Sequence, residues 1–438
     1  MRRFHCGQRL FAPPTGSSSS LERPWTATYD DPHTTGKEFT MPWAEPVTDD
    51  NWRVRYRRDG GGKGAITGFP DAKAAEDYIA DMATDRRRGT WIDPAGGRTL
   101  VAEWAPDWLD ALDIDRRTEE NYRSIVRTHI LPRWGTTALA DVTNLDSRRW
   151  EKELRSGLAQ ATVVSIMKCF SLMLTDAADE KLIAANPLQA RRRGRRNGRR
   201  QRRPRQIWAE PREVLQVADQ VAVKYGPGGA VLVVTAAWTG ARWGELVGLQ
   251  RPNLRLFDDG TGVIVVDPDI GALHETNAGG LFLGPPKTEE SARAISLPPF
   301  LVSLLRDHLT THTHPHVFVT PQGQLHRRSN FARRAFRPAA DGNLDILSPA
   351  VRLYPVKPGL KFHGLRHSHK TWMIDDAVPE IAQALRLGHI LPDKVRDAYS
   401  HVAAGVERRL IDALQDHWEK AKAESRVAPE VAAWRAAA

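Results

Sequence analysis

Between residues 191 and 205 the chain carries ten arginines and no acidic residue. Guanidiniums at this density cannot share a low-dielectric interior, because each would lose its hydration without gaining a partner. Gly194, Gly198 and Pro204 also interrupt the run, so a regular helix is excluded. The segment must be extended and solvated, and the chain on either side of it must fold as separate bodies. A length of 438 residues leaves enough on both sides for real cores. Hydrophobic and polar patterning then divides the chain into a disordered extension (1–48), a small sheet-and-helix module (49–95) and a helical domain (99–188). The linker (189–206), a larger C-terminal domain ending in a helix (207–423) and a short tail (424–438) follow. Met1 and Met41 both stand open as the natural start.

The surplus of 63 Lys and Arg over 53 Asp and Glu points to polyanionic partners. Cys6 and Cys169 are the only cysteines, too far apart in sequence for a metal-ligand spacing or a disulfide framework. No uncharged apolar run approaches ~18 residues, so no membrane partner is expected. Arg2 and Arg3 are not followed by an apolar stretch, so no secretory signal is read there, and a reduced, cytoplasmic setting is expected.

Residues 1–48 hold Pro, Ser and Thr without periodicity, as in Pro13-Pro14-Thr15-Gly16-Ser17. Order is expected from Trp52-Arg53-Val54-Arg55-Tyr56-Arg57, an alternation with the period of a half-buried strand. Gly60-Gly61-Gly62 turns the chain, Gly64 to Phe69 returns it, and Asp71 caps a helix running to about Arg87. Arg53, Arg55 and Arg57 are either a nucleic-acid-facing row or a solvated edge strand. From Thr99 to Pro187 the pattern is helical. Leu100, Trp104 and Trp108 repeat at i, i+4 and i+8, as do Tyr122, Val126 and Ile130, and further helices are expected over 145–154 and 162–183. Asn186-Pro187 ends the last.

The C-terminal domain holds the chemistry. Helices are expected over 209–223 and 230–238, followed by Thr239-Gly240-Ala241-Arg242-Trp243-Gly244-Glu245, where a small-residue turn places Arg242 at a helix start beside free backbone N–H groups. Strands are expected over 263–266, 281–283 and 294–297, with Lys287 in Gly284-Pro285-Pro286-Lys287-Thr288 between the last two. His363 and Arg366, three apart, lie one helical turn from each other. Leu387-Gly388-His389 and Ala398-Tyr399-Ser400-His401 follow. Guanidinium, imidazole and phenol without an acidic cage suit attack on a phosphodiester. The guanidinium grips the phosphate oxygens, the imidazole shares a proton and the phenol is the nucleophile. His308, His312, His314 and His316 are read as a polar loop, and neither they nor His363, His367 and His369 have the acid and spacing of a metal site. Val406, Leu410, Leu414 and Trp418 mark an amphipathic C-terminal helix, which either packs on its own domain or docks on a neighbouring protomer.

This order of boxes resembles the tyrosine recombinases, the family of phage-type integrases. The resemblance spans roughly residues 50–420 and is most specific from Arg242 to Tyr399. It implies a multidomain α+β fold. The expected parts are an N-terminal arm-type DNA-binding module, a helical, SAM-like core-binding domain and a mainly α catalytic domain with a small β-sheet. It implies catalytic roles for Arg242, Lys287, His363, Arg366, His389 and Tyr399. Tyr399 would form a 3′-phosphotyrosyl link, Lys287 would protonate the leaving 5′ oxygen, and Glu245 would support the arginines. DNA contact is implied for Arg53, Arg55 and Arg57 and for the linker's Arg191, Arg192, Arg193, Arg195, Arg196, Arg199, Arg200, Arg202, Arg203 and Arg205. Double-stranded attachment sites are the implied partner, engaged by a homo-tetramer of otherwise monomeric protein, with an excisionase or host DNA-bending protein assisting. No metal or cofactor is implied. A topoisomerase-like relaxase and a non-catalytic DNA-binding relative are the rival readings.

Overall fold

The computed structural model describes residues 41–58, 61–189, 206–344, 352–389 and 402–427. Residues 1–40 of the N-terminal extension, the linker arginines from Arg191 to Arg205, Tyr399 and the tail from 428 lie outside this set. The chain divides into two compact units, one of residues 1–110 with 128–190, the other of 111–127 with 191–438.

The first unit opens with an antiparallel sheet ordered β1 (Trp43–Thr48), β2 (Asn51–Arg57) and β3 (Lys63–Phe69). Order therefore begins nine residues before Trp52, within the expected disordered extension. Pro46 hides β1 from a propensity reading, yet an edge strand tolerates proline because one side of its backbone needs no partner. The alternation in β2 is real: Val54 and Tyr56 are buried against α1 (Ala72–Arg88). But β2 is the central strand, which removes the edge-strand reading of its arginines. Gly64 stands opposite Tyr56 in register, and a Cβ there would lie 2.3 Å from the Tyr56 ring, so only glycine lets that ring fold down. Asp71 caps α1 as expected, accepting from the Ala74 N–H at 2.7 Å.

The helical part of this unit comprises α2 (Val101–Asp110), α4 (Leu131–Trp134), α5 (Asn144–Gly157) and α6 (Gln160–Asp179). Trp134 stacks on Phe170 at 5.4 Å, with the Trp150 ring edge-on to both. Helix α6 is long and apolar enough to cross a membrane. Its apolar side is nevertheless spent on this core: Val163, Ile166, Phe170, Met173 and Leu174 are fully buried. It ends four residues before the expected Ile183, because Lys181 takes φ +58° and turns the chain back. Asn186 is buried and donates to the Ser171 carbonyl at 2.7 Å.

The second unit includes α3 (Arg116–Ile125), which the sequence reading assigned to the helical domain. Asn277 N–H donates to the Glu120 carboxylate at 2.9 Å, and the Arg116 guanidinium lies 5.0 Å over Phe282. Helices α7 (Pro211–Tyr225) and α8 (Pro227–Thr239) form the centre, and α8 is buried almost all round. Trp238 is the hub, 5.0 Å from Trp372, 5.5 Å from Phe300 and 5.8 Å from Trp418. Its indole N–H donates to the Leu414 carbonyl at 2.9 Å, and Trp418 stacks on Phe300 at 4.1 Å. The C-terminal helix, α15 (Ala404–Val427), thus packs on its own domain.

A three-stranded sheet is ordered β4 (Leu254–Leu256), β5 (Gly262–Val266), β8 (Arg293–Ser296), and β6 (Ala272–Glu275) pairs with β7 (Leu281–Gly284) as a separate ribbon. Strands β4 and β6 escape a sequence reading because three or four residues carry too little periodicity. The strands flanking Lys287, β7 and β8, do not pair with each other. Lys287 sits instead in the connection from the ribbon back to β8, whose hairpin partner is β5. Further helices are α9 (Trp243–Val247), α10 (Pro299–Thr310), α11 (Arg328–Phe331), α12 (Arg337–Asp341), α13 (Phe362–Asp375) and α14 (Glu380–Leu387). A wider π turn joins α11 to α12 over Ala332–Phe336, two residues ahead of Pro338, whose missing N–H cannot continue the α ladder.

Candidate active site

Arg242 is the N-cap of the short helix α9 (Trp243–Val247). Its own N–H is not free for a ligand as expected, because the Glu245 carboxylate accepts it at 2.9 Å. The Arg242 guanidinium then returns to the same carboxylate at 2.8 Å and reaches the Ser291 hydroxyl at 2.8 Å and the Gly388 carbonyl at 3.0 Å. Arg366, on α13, is 5% exposed and donates to the carbonyls of Gly240, at 2.7 Å, and Leu387. A third arginine, Arg293 on β8, donates to the Arg386 carbonyl at 2.7 Å and to Glu245 at 3.0 Å.

The carbonyls of residues 386, 387 and 388 therefore each take a different arginine. The last carbonyls of a helix have no intrahelical partner and form its negative end, so the end of α14 is a natural acceptor for cations. Gly388 makes this close approach feasible. Its φ is +61°, and a Cβ would stand 2.7 Å from the Glu290 carbonyl and 3.0 Å from Ser291 Cα. The expected Leu-Gly-His box is thus, in its first two residues, a clamp for arginines.

His363 and His389 flank this cluster, each exposed to solvent. Both rings are pushed down to about 4, first by desolvation. For His363 the cations that add to this are His367, Arg366, Arg328 and Arg242, and for His389 they are Arg366, Lys370, Arg242 and Arg293. Near neutral pH both imidazoles are uncharged, able to accept or relay a proton. Burial lowers Arg366 to about 9, and repulsion from Arg242 adds to it, against Glu245. Burial pushes the Glu245 carboxyl up, but Arg293 and Arg242 outweigh it and hold the group below the usual carboxylate range.

Lys287 is exposed, and the next residue anchors its loop to the site: the Thr288 and Ser291 hydroxyls share a hydrogen bond at 3.0 Å. The structure brings together Arg242, Glu245, Arg366, His363 and His389. It places Lys287 one residue from their network, and Tyr399 lies outside the described residues. Of the arm arginines, Arg53 and Arg55 both pair with the Glu45 carboxylate, Arg55 at 2.6 Å, while Arg57 is exposed.

Sequence reasoning missed Arg293, Ser291 and Arg386. Arg386 is buried; it donates to His369 Nε2 at 2.9 Å and to the Trp238 carbonyl at 3.1 Å. His369 must then be neutral, with Nε2 as acceptor, and burial lowers it well below the usual range. The signal for Arg293 was its parity: it shares the inward side of β8 with Ile295 and stands opposite the buried Val266. The His308 group makes hydrogen bonds within its own stretch of chain. His308 and His312 both lie on the Val317 carbonyl, at 2.9 and 3.1 Å, and the carbonyls of Leu309, His312 and His314 accept from Arg251.

No protein-family model matches the chain. The phiRv2 prophage integrase of Mycobacterium tuberculosis H37Rv is 27% identical over 375 residues, covering 82% of this chain and 93% of the relative. The integrase of Mycobacterium phage L5 is 24% identical over 75% of this chain and 84% of its own. Among solved structures, the Tn1549 transposon integrase in complex with transposon right end DNA superposes with a TM-score of 0.53 at 16% identity. The match covers 72% of this chain and 100% of that one. Fold and relatives agree with the resemblance read from the boxes: along most of its length the chain is similar to phage and prophage integrases, and it shares the fold of a transposon integrase.

Proposed function

We propose that this protein is a site-specific DNA recombinase that integrates and excises a phage or other mobile element. The observation that carries this reading is the convergence of Arg242 and Arg366, locked by Glu245 and by the end of α14, beside two neutral imidazoles. Fixed donors aimed at developing phosphate charge are the largest single contribution to such catalysis. The Tyr399 oxygen attacks the scissile phosphorus and the bond to the 5′ oxygen breaks, leaving a 3′-phosphotyrosyl link. Lys287 gives its proton to the departing 5′ oxygen, which leaves as a hydroxyl, and His363 takes the phenolic proton. His389 hydrogen-bonds a non-bridging oxygen. The covalent link conserves the bond energy, and attack by a 5′ hydroxyl from a second duplex reseals the strand.

Duplex attachment sites are the substrate, brought together by a homo-tetramer that assembles on DNA, with an excisionase or host DNA-bending protein setting direction. The linker arginines and Arg57 would lie along phosphates, each neutralised phosphate steepening the salt dependence of binding. The test is a plasmid carrying two directly repeated copies of the attachment core. Deletion of the intervening segment supports recombination. Relaxation of supercoils without deletion would favour the relaxase, and binding without either would favour the non-catalytic relative.

A further inference from the structure

We propose that Arg293 is a positioning residue for the active site, orienting Arg242 through Glu245 and fixing the end of α14 that grips both catalytic arginines. This rests on the recombinase reading above. The Arg293 side chain is only 7% exposed, so it does not itself meet DNA. Its contacts reach every part that holds Arg242. It donates to Glu245 at 3.0 Å, to the carbonyl of Ser291, whose hydroxyl binds Arg242, at 2.7 Å, and to the Arg386 carbonyl at 2.7 Å. The next two carbonyls along the chain, those of Leu387 and Gly388, hold Arg366 and Arg242. One planar guanidinium thus ties β8, the turn before it, α9 and α14 into one frame. The fork geometry is what allows it: a lysine could supply the charge, but its three donors sit on one nitrogen and cannot span the separate acceptors as the planar guanidinium does.

The charged groups facing Glu245 are Arg242 at the start of its own helix, Arg293 from β8 and Arg366 from α13, and Asp267 lines a small cavity together with Glu245. Arg293 is the cation that most opposes the burial penalty on Glu245. Removing it leaves only Arg242 hydrogen-bonded to Glu245 against burial, so the carboxyl ionises at higher pH than in wild type and its hold on Arg242 weakens sooner as pH falls. His363 and His389 titrate near 4 and do not interfere above about pH 5.5.

The experiment uses the full chain and a pool of nicked duplexes with randomised cores, from which one round of covalent capture selects cleavable sequences. Single-turnover adduct formation on the captured pool is then followed from pH 5.5 to 8 for wild type, Arg293→Gln, Arg293→Lys and Arg293→Gln with Glu245→Gln. Arg293→Gln is expected to lower the rate about 100-fold, the scale of a catalytic group displaced by about 1 Å. Its ratio to wild type should fall further toward low pH. Arg293→Lys should be slower than wild type with a pH-independent ratio, and the double variant should stay slow while losing the added pH dependence. A uniform loss with no change in profile would reduce Arg293 to a stability role and overturn the proposal. Should Arg293→Gln not fold, an Arg293→Lys enzyme as fast as wild type would overturn it alone. No adduct from wild type would remove the recombinase reading and this inference together, whereas a wild-type adduct with unaltered variants removes only the inference.

Discussion

Gly388 is where backbone geometry and catalysis meet, and Gly388→Ala tests whether the clamp is needed. The left-handed backbone costs a non-glycine residue about 1–2 kcal/mol. At Gly388 the new methyl also meets the Glu290 carbonyl at 2.7 Å and Ser291 Cα at 3.0 Å, both backbone atoms that cannot swing aside. Either α14 or the Thr288–Ser291 turn must move, and each carries a ligand of Arg242. A shift of a few tenths of an ångström to 1 Å lowers cleavage by up to about 100-fold. The unfolding midpoint should fall by about 2–8 °C, from about 2–4 °C per kcal/mol in a unit of this size. Gly323→Ala is the control, since its φ is +70° and nothing lies within 4 Å of the added carbon. It should show the backbone cost and keep its cleavage rate. The assays are thermal unfolding and single-turnover adduct formation on the captured DNA pool. If both variants lost activity equally, or Gly388→Ala cleaved at the wild-type rate, the close packing at Gly388 would not be what orders the arginines.

Acid should destabilise the C-terminal unit in a defined window. Burial pushes His326, fully inaccessible, down to about 4 from an unfolded value of 6.5. The unfolded chain therefore binds a proton below about pH 6.5 that the folded chain refuses until about pH 4, and stability is lost as pH falls between them. The full loss from this group is about 3 kcal/mol. Denaturant unfolding of wild type and His326→Gln at pH 7 and 4.5 should show a smaller pH effect in the variant, and an equal effect would exclude His326 as the source. In the N-terminal module, Glu45→Gln removes the carboxylate that holds Arg53 and Arg55. If those arginines face DNA, binding tightens at low salt and its log–log salt slope steepens by about one to two phosphates. An unchanged slope in fluorescence anisotropy would take the row out of the DNA interface.

The boxes were legible because they are short-range. His363 and Arg366 share a helix turn, and Arg242 and Glu245 share α9, so spacing alone predicts their meeting. What joins the boxes was not legible, since the carbonyls of Arg386, Leu387 and Gly388 are backbone atoms with no signature in side-chain identity. Arg293 shows its inward parity in sequence, but its partner Glu245 is 48 positions away, and Glu245 is expected to support the arginines of the boxes, of which Arg293 is not one. The folding of the 267–292 connection into a ribbon was also hidden. Its strands are four residues each, and their pairing is decided by tertiary context such as the stack of His274 on Phe282 at 5.1 Å. Buried His369 was visible and set aside as a failed metal ligand. Its role as an acceptor for Arg386 depends on a helix 11 residues further on, α14, folding back against α13.

The most direct measurement is to trap and map the covalent intermediate. Full-length protein is incubated in EDTA with the nicked duplex pool, SDS-resistant adducts are isolated, and the DNA-bearing peptide is identified by mass spectrometry, with Tyr399→Phe alongside. The recombinase reading predicts a 3′-phosphotyrosyl adduct on the peptide containing Tyr399 and none in the variant. An adduct on another residue, or one that persists in Tyr399→Phe, would contradict it.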